Sequence, residues 1–288
     1  MQVTLRCLAL ILGVALILCV PTGCNTARAG TSDAPVSPLP AAQPASSPET
    51  VAEADAPAAL AGPAGAALEQ AARDDKHLIV LVYGAPDDLT TKVRAVLAEA
   101  RKALSAQALF HELKVDDERE AAFVARYRLA DAPLPLTLVI APNGAVVNAF
   151  VREAMKVDEL RSAFASRKYA EVLKLLQDRK LVLLCVQGAH TKHNDASLTA
   201  AKAVVGDEKA GDNIRWVQVA PEDESSRDLL TQLEVDPKVS EATIHILVPP
   251  ATLAGRVPGA TTKDELWQAI ASSVSSCGAG GCGPGGCG

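Results

Sequence analysis

From residue 68 onward, hydrophobic and polar positions alternate between two periods, and the switches between them mark the elements. A continuous apolar run, Leu78-Ile79-Val80-Leu81-Val82-Tyr83, has the length and β-branched content of a buried strand. Residues 89–106 carry Val93, Val96, Leu97 and Leu104 at helical spacing. A short strand over 110–115 and a helix over 118–129 follow, then Leu136-Thr137-Leu138-Val139-Ile140, the turn Pro142-Asn143-Gly144, and a partner strand over 145–151. Asn-Gly between two apolar runs predicts a hairpin, because both residues tolerate positive φ. Val157, Leu160 and Phe164 place a last helix against this unit. The order βαβα then ββα predicts an α/β sandwich closed by an antiparallel hairpin.

The pattern then repeats. At one fixed spacing Asp158-Glu159-Leu160 falls on Asp264-Glu265-Leu266, Ala163 on Ala269, Phe164 on Ile270 and Thr137 on Thr243. Strands are expected over 181–186, 214–219, 243–248 and 252–257, and Thr262 with Glu265 forms a capping box for the closing helix. An amphipathic segment over 169–178 is expected to join the units. The domains are therefore a first unit over 68–168 with an Ala-rich, helical lead-in and a second over 169–274 that includes the linking helix.

What surrounds them is different in kind. Residues 1–23 combine Arg6 with an apolar run from Cys7 to Val20 that breaks at Pro21, the pattern of a secretory signal peptide. The run is shorter than the ~20 apolar residues that span a bilayer. Residues 24–67, rich in Ala, Pro, Ser, Thr and Gly, have few large apolar side chains to drive collapse and read as a disordered tether. Pro21-Thr22-Gly23-Cys24 resembles the lipobox of bacterial lipoproteins, with Gly23 and Cys24 in place and Pro21 where leucine is usual. That resemblance implies lipidation at Cys24, export to a bacterial cell envelope, and a lipid anchor in a membrane facing the periplasm or the exterior. Cleavage after Ala29, in Ala27-Arg28-Ala29, is the alternative.

Composition narrows the partners. The net charge is −6, and no lysine or arginine cluster provides the concentrated basic surface that phosphates require, so nucleic acid is excluded as a partner. The 49% hydrophobic content is enough for two cores.

The first unit resembles the thioredoxin fold family, on its element order and on "APLPLTLVIAPNGAVV", which matches that family's cis-proline loop, strand, turn and strand with Pro135 as the cis-proline. Leu136 stands between this proline and Thr137, where the family has the two adjacent. The resemblance covers about residues 74–166 and 177–274, hence two tandem thioredoxin-like domains. Relatives that exchange disulfides carry a C-x-x-C pair where the first strand turns into the first helix, because a helix N-terminus lowers a thiol's pKa. Here that turn reads Gly84-Ala85-Pro86-Asp87-Asp88, and its counterpart Gly188-Ala189-His190-Thr191-Lys192-His193. Neither holds sulfur. The spacing sets Glu241 on Pro135, so the second loop is expected to be trans.

The remaining chemistry is thin. Asp87 and Asp88 read as caps of the following helix, not as acids or bases. His190 and His193, backed by Asp195, have a spacing that can serve a metal, against the simpler reading of a solvated loop. Cys185 lies inside a buried strand and is expected to be inert, and His77 and His111 read as surface residues. The last segment, 275–288, reads as a flexible tail, "CGAGGCGPGGCG" at its end placing Cys277, Cys282 and Cys287 in glycine. Three uses stand open for these thiols: a soft metal such as Cu(I) or Zn, disulfides including one that links two chains into an oligomer, or none. The expected function is a redox-inactive, lipid-anchored module with a protein or peptide partner and no cofactor; the alternative is a thiol/disulfide oxidoreductase or metal carrier acting through the tail.

Overall fold

The structure, a computed structural model, describes residues 60–278, with side chains placed through residue 273. The first unit comprises α1 (Pro63–Arg73), β1 (His77–Tyr83), α2 (Asp88–Leu104), β2 (Ala108–Lys114), a 3-10 turn (Glu118–Glu120), α3 (Ala121–Arg126), β3 (Leu136–Ile140), β4 (Val146–Val151) and α4 (Val157–Ser162). The second comprises α5 (Arg167–Gln177), β5 (Leu181–Val186), α6 (Asn194–Val205), β6 (Ile214–Val219), a 3-10 turn (Glu224–Ser226), α7 (Arg227–Gln232), β7 (Thr243–Val248), β8 (Thr252–Pro258) and α8 (Lys263–Gly278).

Each unit has one four-stranded sheet, ordered β2-β1-β3-β4 and β6-β5-β7-β8. In both, the first two strands pair in parallel and the hairpin antiparallel. The side chains of β1 alternate between two cores: Leu78, Val80 and Val82 pack with α1 and α3, and Ile79 and Leu81 with α2 and α4. Burial on both faces is why this strand reads as an unbroken apolar run. β5 repeats the arrangement, with Val182, Leu184 and Val186 toward α5 and α7, and Leu183 and Cys185 toward α6 and α8. Two tandem thioredoxin-like domains, as the element order predicts, are what the chain forms.

Three expectations are corrected. Helix α1 starts at Pro63, five residues inside the segment read as tether, because Ala64 is fully buried against the sheet and proline suits a first helical turn. Gly62 opens it at φ 100, where a Cβ would lie 2.0 Å from the Arg119 carbonyl oxygen. The segment read as a linker between units is α5, the second unit's counterpart of α1: both span 11 residues and both cover the same face of their sheet. The repeat therefore begins with a helix.

The third correction concerns register. Val82 pairs with Leu136, and Val186 with Thr243, so Thr243 matches Leu136 and Ala242 matches Pro135. That is one residue away from the match suggested by the sequence spacing, and in a strand one residue exchanges the two faces. Accordingly Thr137 is buried and Thr243 half-exposed.

Helix α5 has a second contact. Its Ala170 and Leu173 pack on Ala141 and Ala145 of the β3–β4 turn. The Gln177 side chain donates to the Val146 carbonyl at 2.7 Å and accepts from the Val146 amide at 3.0 Å, while Asn143 donates to the Ala170 carbonyl at 2.9 Å. One helix is thus built into both units. We expect calorimetric unfolding in a single transition, with Gln177→Ala lowering its midpoint through two lost hydrogen bonds of about 1 kcal/mol each. Two resolved transitions in the unaltered protein would contradict this coupling.

Candidate functional site

In each unit the turn from the first strand into the next helix lies beside the loop that enters the hairpin. In the first unit Asp87 is the N-cap of α2 and its carboxylate accepts from the Thr90 amide at 2.6 Å. The hydrogen bonds from Thr90 hold the Asp87 carboxyl below the usual carboxylate range, and Arg152 adds to the effect. The carboxylate is thereby engaged in capping the helix. The facing loop contains the cis peptide Leu134–Pro135. It comes close enough that a Cβ on Gly84 would lie 3.3 Å from Leu134 Cδ1. The Pro135 carbonyl accepts from the Arg152 amide at 2.8 Å.

In the second unit the turn is tied down by its own polar groups. Thr191 Oγ1 accepts from the Gly188 amide at 2.9 Å and lies 2.6 Å from Asn194 Oδ1, and Asn194 Nδ2 donates to the Gly188 carbonyl at 2.8 Å. Glu222 accepts from the Ala189 amide at 3.1 Å, a bond that holds its carboxyl below the ordinary range. Lys192 exchanges backbone hydrogen bonds with Ser240 and Ala242, joining the turn to the hairpin loop. Among the described residues the cis bonds are Leu134–Pro135 and Pro249–Pro250, and the peptide before Ala242 is trans.

His190 and His193 both precede α6. His190 is exposed and close enough to Glu222 for its charge to be felt there, whereas His193 sits in the left-handed region at φ 67, near Gly259. Among the described residues no group of three or more His, Cys, Asp or Glu side chains is placed to hold a metal ion. Both lie ahead of α6 and on no helical turn, which agrees with the loop reading of this segment. Cys185 is 1% exposed, unpaired, and its thiol is pushed up to about 12 by burial, so it carries no thiolate. Cys24, Cys282 and Cys287 lie outside the described residues. Cys277 lies on α8, which takes in the first four residues, 275–278, of the segment read as a flexible tail.

Several polar groups with structural roles were not anticipated. His111, read as a surface residue, has Nε2 2.9 Å from Glu120 Oε1, and the other oxygen of Glu120 accepts from the Ala64 amide at 3.0 Å. The buried Glu120 thereby caps α1. Asp228 does the same for α5, accepting from the Ser166 amide at 2.7 Å and from its hydroxyl at 2.6 Å. His77 stacks on Phe164 with ring centroids 4.5 Å apart. These pairs are distant in sequence, so no local pattern announces them.

No family model matches this chain, and no curated protein does. Among solved structures it is similar to the germline-specific thioredoxin Deadhead of Drosophila melanogaster, at 15% identity over 38% of this chain and 99% of that one, with a TM-score of 0.30. The zinc-bound form of human ERp44 is 13% identical over 74% of this chain, with a TM-score of 0.32; the match spans only 61% of ERp44. The first two thioredoxin domains of Saccharomyces cerevisiae Eps1p are 12% identical over 78% of this chain and 99% of that one, with a TM-score of 0.28. At these values the fold rests on the strand order and pairing described above.

One buried group makes stability depend on pH. His245 on β7 is 3% exposed, its Nδ1 has no hydrogen-bond partner, and burial, aided by the Arg256 guanidinium, pushes its pKa down to about 4. The unfolded chain, with an ordinary histidine value of about 6.5, takes up the proton first. Stability is therefore full above pH 6.5 and falls as the pH drops toward 4, by at most about 1.4 kcal/mol per unit. We expect denaturant titrations between pH 7 and 4.5 to show this slope and His245→Leu to flatten it; an unchanged slope in the variant would remove His245 as its source.

Proposed function

We propose that this protein is a redox-inactive tandem thioredoxin-like module that binds a protein or peptide partner at a bacterial cell envelope, held to the membrane by a lipid on Cys24. The carrying observation is that both strand-to-helix turns lack sulfur and that their polar groups are already engaged, Asp87 with Thr90, and Glu222 with Ala189. Cys185 supplies no substitute, being sealed within the second core. A scaffold that keeps the turn and the adjoining loop but offers no nucleophile is suited to holding a chain against that surface, not to exchanging its disulfides. In this reading the protein needs no cofactor.

The purified protein is expected to give no reduction or isomerisation of a disulfide substrate above the uncatalysed rate. Turnover that persists after deletion of residues 279–288 together with Cys277→Ser would refute the proposal.

The second reading assigns thiol or soft-metal chemistry to Cys277, Cys282 and Cys287. What favours it is their clustering in a segment of glycine that cannot build a core. Serine at all three positions separates the readings. Under the leading one, bound Cu or Zn, thiol reactivity and the pattern on non-reducing gels are unchanged; under the second, metal or cross-linked dimer is lost.

The anchor is tested by the mass of the mature protein. A chain beginning at Cys24 with added acyl groups is expected, and a chain beginning at Gly30 without them would move the protein off the membrane.

A further inference from the structure

A cavity of about 160 Å³ opens where the end of α5 meets the first unit, lined by Tyr127 and Val146 over the core residues Leu129 and Leu138, and by Arg126, Arg128, Asp178 and Arg179. Its charge runs against that of the whole chain, with three arginines to one aspartate in a protein of net charge −6. The single acid is already shared: Asp178 pairs with Arg126 at 3.4 Å and with Lys174. Among the described residues the guanidinium groups of Arg128 and Arg179 have neither an ion-pair nor a hydrogen-bond partner. Tyr127 adds no charge, because burial pushes its phenol up to about 12 and its hydroxyl donates to the Gly144 carbonyl at 3.1 Å.

The placement of the two free arginines is unusual in a second way. Each follows the end of a helix in the left-handed region, Arg128 at φ 54 and Arg179 at φ 62, where glycine carries the least cost. The corresponding positions of the other unit share the conformation but are acidic, Glu234 at φ 53 and Asp75 at φ 53. Arginine stands at both only around this cavity.

We infer that the cavity is a binding site for a small organic anion, a carboxylate on a compact apolar body, with Arg128 and Arg179 on the carboxylate and Tyr127 and Val146 around the body, over the buried Leu129 and Leu138. Guanidinium forks match a carboxylate's two oxygens, and a cavity of this volume seats a benzene-sized group. The ligand would touch both units, since Arg128 follows α3 and Arg179 follows α5. The inference does not depend on the proposed partner binding.

The test is an NMR titration of the isotopically labelled full-length protein with benzoate, benzamide and inorganic phosphate in parallel. Benzoate is expected to saturate with a dissociation constant of about 1 mM or tighter. Shifts should concentrate at Leu129, Leu138 and Val146, with benzamide and phosphate at least tenfold weaker. Arg179→Gln should weaken benzoate at least tenfold. Arg128→Gly should do the same while raising the unfolding midpoint, because glycine relieves the left-handed residue; the binding loss is then separated from any loss of fold. Benzoate that fails to saturate, that binds no better than benzamide, or that binds both variants as it binds the unaltered protein would overturn the site. Phosphate binding as tightly as benzoate would also overturn it, by showing a bare anion hole without an apolar component.

Discussion

Helix α5 must satisfy two cores at once. Val172 and Leu176 point into the second sheet, while Ala170 and Leu173, on the opposite side, meet the small residues of the first unit's hairpin turn. Small residues on both sides of this contact allow the helix and turn to approach closely, and Gln177 completes the backbone pairing of β4 where the strand begins. A side-chain amide that both donates to and accepts from one residue's backbone behaves as a short piece of neighbouring strand. The register between the two units follows from this. It also places Arg179 beside Arg128, so the junction cavity exists only because α5 is fixed to the hairpin.

The two strand-to-helix turns are each held in shape by side-chain acceptors on backbone amides. A helix N-terminus presents unsatisfied amides and a partial positive charge, which would draw a thiolate. In the first unit the Asp87 carboxylate takes that role on the Thr90 amide; in the second the N-cap His193 makes no side-chain bond to α6, and Thr191 and Glu222 instead hold the turn ahead of it through the Gly188 and Ala189 amides. Each keeps the turn in place. The Glu222 carboxylate lies close over Gly188, where a Cβ would sit 2.2 Å from Glu222 Oε2 and displace that side chain.

How much of this could be read from the sequence depends on the range over which each feature is encoded. The strands β5, β6 and β7 are delimited by the apolar runs themselves, and the Thr262–Glu265 capping box forms as its spacing requires, with Glu265 accepting from the Thr262 amide at 2.9 Å. Helix α1 was under-read because alanine and glycine give no amphipathic signal until something packs on them. The hairpin register was misplaced because a one-residue insertion before β7 and a matching deletion after β8 cancel, leaving the spacing of the flanking helices intact. His111 was missed as a structural residue because its partner lies nine residues away across a turn.

The helix starts show why the repeat is plain in the fold and faint in the sequence. Both α1 and α5 begin against the face of a sheet, and in both an acid from the 3-10 turn or the helix after it bonds an amide at the helix start. In one unit it is Glu120, the last residue of that turn, with His111 on its other oxygen; in the other it is Asp228, inside α7, with the Ser166 hydroxyl as a second donor. The physical requirement is a buried acceptor at a fixed point in space, and it can be supplied from chain positions that do not correspond and with side chains of different length. Because Gly62 must be glycine to clear Arg119 while Ser166 can cap its own helix, even the residue before the helix has diverged. Constraints of this kind conserve where an oxygen sits and leave the residue that carries it free to change, so two copies can keep one architecture while sharing few identities.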